Sequence, residues 1–263
     1  MTLDLAFDSV GEGPPLLILH GLFGSGRNWR RVAGELARSY RVLTVDLRNH
    51  GASPWARAMD YPDMAGDVVR LIERQGLRRA SVIGHSMGGK VAMALALLHP
   101  QRIDRLVVVD VAPVTYADRL SLFAEAMRAI DTLHAASRDE VRQRLAQQVG
   151  DPNVVAFLMQ NLVARNAHFD WRINLAAIAP SIPVLSGFPP ALRELRFRRP
   201  LHAIVGGRSD YVARADPTAF LPMFSQVRVE VIESAGHWVH AEQPEAFVAA
   251  ARRALHGAAL AAA

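Results

Sequence analysis

Short, nearly continuous apolar runs alternate along this chain with segments whose apolar residues recur at helical spacing. The stretches "PLLILHG" (15–21), "YRVLTVDL" (40–47), "ASVIGHS" (80–86), "RLVVVDV" (105–111), "LHAIVGG" (201–207) and "VRVEVIE" (227–233) have the length and β-branched content of buried strands. Helical periodicity falls between them, at 29–38, 61–75, 87–99 and 244–255. Strands alternating with helices predict right-handed βαβ crossovers, and so an α/β fold with a mostly parallel sheet covered by helices on both faces. An opening strand near 3–7 is expected at an antiparallel edge.

The alternation breaks from 113 to 196. This stretch carries Pro152, Pro180, Pro183, Pro189 and Pro190 and shows helical periodicity over 117–136 and 152–166. It is expected to be a helical cap insertion, leaving 1–112 and 197–263 as the core. In open α/β sheets ligands bind beyond the carboxyl ends of the strands, so an insertion leaving that edge would roof a site. The alanine-rich tail, 254–263, is expected to be a frayed helix end.

One seam between a strand and a helix has an unusual composition: Gly84-His85-Ser86-Met87-Gly88. G-x-S-x-G at such a turn has a mechanical reason. A tight bend raises the serine hydroxyl above the sheet, and the glycines leave room where side chains would meet the neighbouring strand and helix. Met87 would then offer its backbone N–H at a helix start, where donors lack partners and the dipole favours negative charge. The layout presents a candidate nucleophile, Ser86, beside an anion site.

A serine hydroxyl needs a general base, and the base needs an orienting carboxylate. Of the ten histidines, His237 lies on a small-residue loop between the last strand and the last helix, at the carboxyl edge where the base is required. His240 lies farther from the strand end, and packing or hydrogen-bonding roles are expected for His20 and His85. Two aspartates qualify as the acid: Asp110 ends the strand after the nucleophile helix, and Asp210 follows the penultimate strand. Spacing does not choose between them. The turn "LHGLFGSG" after the strand at 15–21 supplies the second oxyanion donor, the Leu22 N–H. Arg48, Asn49 and His50 also sit at the carboxyl edge and are expected to support the oxyanion loop. An apolar acyl pocket is expected to be lined by Phe23, Phe157, Met159, Leu162 and Trp238, with Phe23 and Trp238 contacting substrate.

Composition removes some chemistries. The 263 residues include no cysteine, which excludes disulfides, thiolate metal sites and a cysteine nucleophile. No His/Asp/Glu cluster has metal-ligand spacing. The net charge is +5, but the positive charge is almost all arginine, scattered without interleaved aromatics, so a nucleic-acid partner is not expected. No apolar run of roughly 18 residues suggests a membrane span, and "MTLDLAFDSV" lacks signal-peptide character. A cytoplasmic location is the expectation.

Taken together, "HGLFGS", "DLRNHGASP", "YPDMAGDV", "GHSMGGKVAMALAL", "VVVDVAPV" and "AGHWVHAEQPEAF" resemble the α/β-hydrolase superfamily, and within it the YbfF-type esterases and their abhydrolase relatives. The resemblance covers most of the chain outside the 113–196 segment. It implies a serine hydrolase of small-molecule acyl esters that needs no metal and no cofactor. It also implies that the triad acid is the aspartate of a D-I-A-P-V motif, which Asp110 matches. Several such members lack an aspartate where this chain has Asp210, which stands as the alternate. A thioesterase, lactonase or C–C bond hydrolase would use the same residues, and a non-catalytic ligand-binding protein of this fold is the competing class.

Overall fold

A computed structural model describes residues 1–166, 168–212 and 217–256; of the alanine-rich tail, 257–263 lie outside the described residues. Strands β1 (Phe7–Val10), β2 (Pro15–Leu19), β3 (Arg41–Val45), β4 (Ala80–His85), β5 (Ile103–Val109), β8 (Leu201–Gly206) and β9 (Val227–Ile232) form one sheet in the order β1-β3-β2-β4-β5-β8-β9. All neighbours pair in parallel except β1, which runs antiparallel to β3. The edge strand begins at Phe7 rather than Leu3. The N–H groups before it leave the ladder: the Leu3 N–H donates to Asp67 and the Ala6 N–H to Ser53 Oγ.

The near-continuous apolar runs have a simple cause. Leu17, Leu19, Val82 and Val108 face one side of the sheet with α2 (Tyr61–Arg74) and α3 (Met87–Leu98). Leu16, Ile18, Ile83 and Val107 face the other, with α1 (Arg30–Leu36) and the helix Pro244–His256. With both faces dry, alternation disappears. The apolar runs also overshoot each ladder by one or two residues. Those overshoots, His20-Gly21, Asp46-Leu47, Ser86 and Asp110-Val111, are the loops at the carboxyl edge.

The stretch between β5 and β8 holds α4 (Ser121–Arg128), α5 (Arg138–Val149), α6 (Pro152–Leu158), a hairpin of β6 (Leu162–Arg165) and β7 (His168–Trp171), and α7 (Leu175–Ser186). Here the periodicity overreached. The helix expected over 117–136 is limited to α4, because Asp118 and Asp131 turn the chain on either side. Each carboxylate accepts backbone N–H groups two and three residues on, a local alternative to the helical ladder. The helix expected over 152–166 stops at Leu158 and becomes the hairpin. Prolines 180 and 183 sit inside α7, which survives because Ile178, Ile182 and Leu185 are buried in the core.

Leu175–Glu194 is apolar and long enough by residue count to cross a bilayer, contrary to the expectation that no run approaches that length. Its regular α-helical part is 12 residues, about 18 Å at 1.5 Å per residue, well short of the roughly 30 Å of a hydrocarbon core.

Behind the carboxyl edge, Arg48 is completely buried. Its guanidinium pairs with both oxygens of buried Asp67 at 2.7 and 2.9 Å, with Asp63 at 2.8 Å, and with the Ala58 carbonyl at 2.8 Å. Arg48 therefore ties the chain after β3 to α2 and points away from the oxyanion turn it was expected to support. Removing one partner of a buried pair strands the other charge. Asp67→Ala should cost about 3–5 kcal/mol in urea unfolding, and pairing Asp67→Leu with Arg48→Met should recover much of that loss.

Candidate active site

Strand register assembles the site. Leu19 of β2 lies opposite Gly84 of β4, and His85 opposite Val109 of β5. Val109 in turn lies opposite Ile204 of β8, and Gly206 opposite Ile232 of β9. The residues that follow, Gly21-Leu22, Ser86, Asp110 and the loop carrying His237, emerge side by side at one edge although His237 lies 216 positions beyond Gly21 in sequence.

Ser86 links β4 directly to α3 in a left-handed backbone conformation, φ 51° and ψ −118°. Such a geometry is costly for a residue with a Cβ. It is held by the Ser86 N–H donating to the Val109 carbonyl at 3.0 Å and by Ser86 O accepting from Gly89 and Lys90. The flanking glycines are obligatory: a Cβ on Gly84 would lie 2.2 Å from Gly88 O, and one on Gly88 would lie 2.4 Å from Leu19 O. As the first residue of α3, Met87 has no helical carbonyl to bond, so its N–H is open.

The turn after β2 is fastened by two histidines. Nε2 of His20 accepts the Leu47 N–H at 3.0 Å, so its proton lies on Nδ1, which donates to the Gly21 carbonyl at 2.8 Å. Nε2 of His50 accepts the Phe23 N–H at 3.2 Å and its Nδ1 donates to the Arg48 carbonyl at 2.9 Å. Both rings are therefore neutral, and burial pushes them down to about 4 for His20 and about 3 for His50. Phe23 has φ 61°, and its carbonyl accepts from Asn161 Nδ2 at 2.8 Å. No bond to the Leu22 N–H is found among the described residues. Among the described residues Asn49 makes no hydrogen bond to this turn; its carbonyl and Oδ1 accept from Asn174 at the start of α7.

Asp110 is fully buried and left-handed at φ 50°. It accepts the Gly206 N–H at 3.0 Å, the Ser209 hydroxyl, and His237 Nδ1 at 2.6 Å. Tyr211 stacks on the His237 ring with centroids 3.9 Å apart, and His85 Nε2 donates to the His237 backbone carbonyl at 2.9 Å. Asp210 is elsewhere. Because Ser209 turns inward to Asp110, the next side chain swings out; Asp210 is 87% exposed and pairs with Arg119 at 3.9 Å. His240 is buried and stacked on Trp29 at 3.9 Å, and it borders the same cavity as Ser86.

Ser86 and His237 border one cavity of about 350 Å³, along with Leu22, Phe23, Phe157 and Trp238. Met159 and Leu162, expected beside them, are buried in the core instead. The sequence reading missed Ser209, Tyr211, Asn161 and Lys90. Lys90 is the chain's one lysine and is buried. Its ammonium donates to the carbonyls of Val114, Ser186 and Gly187 at 2.7–2.9 Å, joining both ends of the 113–196 segment to α3. Burial pushes it down to about 7. Its place in "GHSMGGK" was a visible signal; its partners, distant in sequence, were not. No group of three or more metal-ligating side chains occurs among the described residues.

A mostly parallel sheet with a left-handed serine between strand and helix, and a histidine paired with a buried aspartate on the same edge, defines the α/β-hydrolase class. The alpha/beta hydrolase family matches residues 16–251, and the chain belongs to it. Esterase YbfF of Escherichia coli K12 is 39% identical over 246 residues, covering 92% of this chain and 93% of that protein. The sn-1-specific diacylglycerol lipase ABHD11 of Mus musculus is 36% identical over 243 residues, 89% of this chain and 78% of that one. Among solved structures, a marine microorganism esterase superposes with a TM-score of 0.92 at 34% identity, covering 95% of this chain and 99% of that one. The protein is a hydrolase that cleaves esters.

The neutral histidines give a pH signature. Their folded values lie below the unfolded value of about 6.5, so below that pH the unfolded chain takes up protons that the folded chain refuses. Their contribution is complete above about pH 6.5 and is lost as pH falls toward 4. The urea midpoint should fall between pH 7.5 and 5, with a shallower fall in His50→Gln.

Proposed function

We propose that the chain hydrolyses small-molecule carboxylic esters through an acyl-enzyme on Ser86. His237 acts as general base, Asp110 as the acid that orients it, and the Leu22 and Met87 N–H groups as the oxyanion hole. The observation that carries this is the 2.6 Å contact from His237 Nδ1 to buried Asp110, in a cavity shared with the strained Ser86. With Nδ1–H committed to the carboxylate, Nε2 is the basic nitrogen of the ring.

Ser86 Oγ attacks the ester carbon as its proton passes to His237 Nε2. The carbonyl oxygen becomes an oxyanion at the two N–H donors, each worth about 3–4 kcal/mol in such sites. Collapse breaks the C–O bond, and His237 returns its proton to the departing alcohol. Water then repeats the sequence on the acyl-enzyme and releases the acid. Neither metal nor cofactor enters any step. The 113–196 segment is the cap in this reading, since α4 and α6 contribute Phe123, Val154 and Phe157 to the cavity wall.

Ser86→Ala should abolish p-nitrophenyl ester hydrolysis without lowering the melting temperature, and a fluorophosphonate should form its adduct on Ser86, read by peptide mass spectrometry. Full activity in Ser86→Ala would refute the assignment. Asp110→Asn should lower kcat about 10⁴-fold, while Asp210→Asn stays close to the parent. The reverse ranking would transfer the acid role to Asp210.

A further inference from the structure

Two cavities meet at Ser86, and they are unequal. The larger, about 350 Å³, is bordered by His237, Trp238, Phe157 and Trp29. The smaller, about 40 Å³, lies on the α2/α3 side and is bordered by Met87, Tyr61, Val111, Tyr116 and Leu185. Ser86, Leu22, Leu120 and Tyr211 border both; His237 borders only the larger, Met87 only the smaller.

We infer that the acyl group of the ester occupies the small chamber and the alcohol the large one, so that the preferred substrates are short-chain acyl esters, of about two to four carbons, of bulky apolar alcohols. This rests on the roles given above to Ser86 and His237. In the tetrahedral intermediate one substituent is bonded to Ser86 and the oxyanion is pinned between Leu22 and Met87. The alkoxy oxygen must lie against His237 to receive its proton, which places the alcohol in the cavity that His237 borders. The acyl chain takes the remaining direction, toward the chamber that opens beside Met87. A volume of about 40 Å³ holds about three water-sized groups. Its walls are fixed: Tyr61 OH donates to the Leu185 carbonyl at 2.5 Å, Tyr116 OH to the Tyr211 carbonyl at 2.8 Å, and Lys90 to Ser186 and Gly187. Expanding a hydrogen-bonded, close-packed wall is costly. The apolar surface of Phe157 and Trp238, first expected to hold the acyl chain, then selects the alcohol.

The test uses the purified chain and two ester series, each corrected for its rate with hydroxide. With p-nitrophenol as the fixed alcohol, kcat/KM should fall about tenfold or more from butanoate to octanoate. With acetate as the fixed acyl group, ethyl, butyl, hexyl and octyl esters should give rising kcat/KM. Val111→Ala and Leu185→Ala should shift the acyl optimum to longer chains without changing the order of the alcohol series. Octanoate hydrolysed as well as acetate or better by the parent enzyme would overturn the inference, as would an acetate series that falls with alcohol length. The parent series decides even if a variant does not fold. A Ser86→Ala protein that retains turnover would defeat the underlying assignment, whereas an inactive Ser86→Ala beside a long-acyl optimum in the parent would defeat the chamber assignment alone.

Discussion

Three backbones meet around Ser86 more closely than side chains allow. The end of β2 passes 2.4 Å from where a Gly88 Cβ would stand, and Gly88 O lies 2.2 Å from where a Gly84 Cβ would stand on β4. Gly21 continues the theme, since a Cβ there would meet Ser86 Cβ at 3.3 Å. This crowding puts the turn after β2 within reach of anything bonded to the serine. It also forces the serine into its left-handed conformation, a strain that the buried sheet and helix beneath it sustain.

Around that point the polar groups that shape the site are mostly backbone, and side chains hold the backbone in place. Neutral His20 and His50 each donate from one ring nitrogen and accept at the other. Asn161 reaches from the middle segment to Phe23 O, and Asn174 to Asn49. A buried imidazole does this only without charge, so the burial that lowers these histidines also keeps their acceptor nitrogens available.

The sheet, its order of strands and helices, and the positions of Ser86 and His237 were legible because each depends on local pattern: apolar runs, a glycine-flanked serine, a histidine after a strand. Which aspartate meets His237 was not, because it turns on which way two side chains leave adjacent loops; Ser209, which diverts Asp210 outward, gives no periodic signal. The middle segment was read worst. Its helices are cut by aspartate turns and its hairpin depends on a partner strand, so periodicity alone carried too far. Arg48 was placed at the right edge but assigned to the wrong neighbour, because its carboxylate partners sit on a helix that sequence spacing does not fold back onto it.

Lys90 carries a practical consequence. Its amine is enclosed by carbonyls from both ends of the segment between β5 and β8, and no other side chain in the sequence offers an ε-amine. Acylating reagents can reach that nitrogen only while those ends lift from α3. The speed of its covalent labelling therefore clocks a single local opening, which gives a residue-specific gauge of how often the segment between β5 and β8 parts from α3.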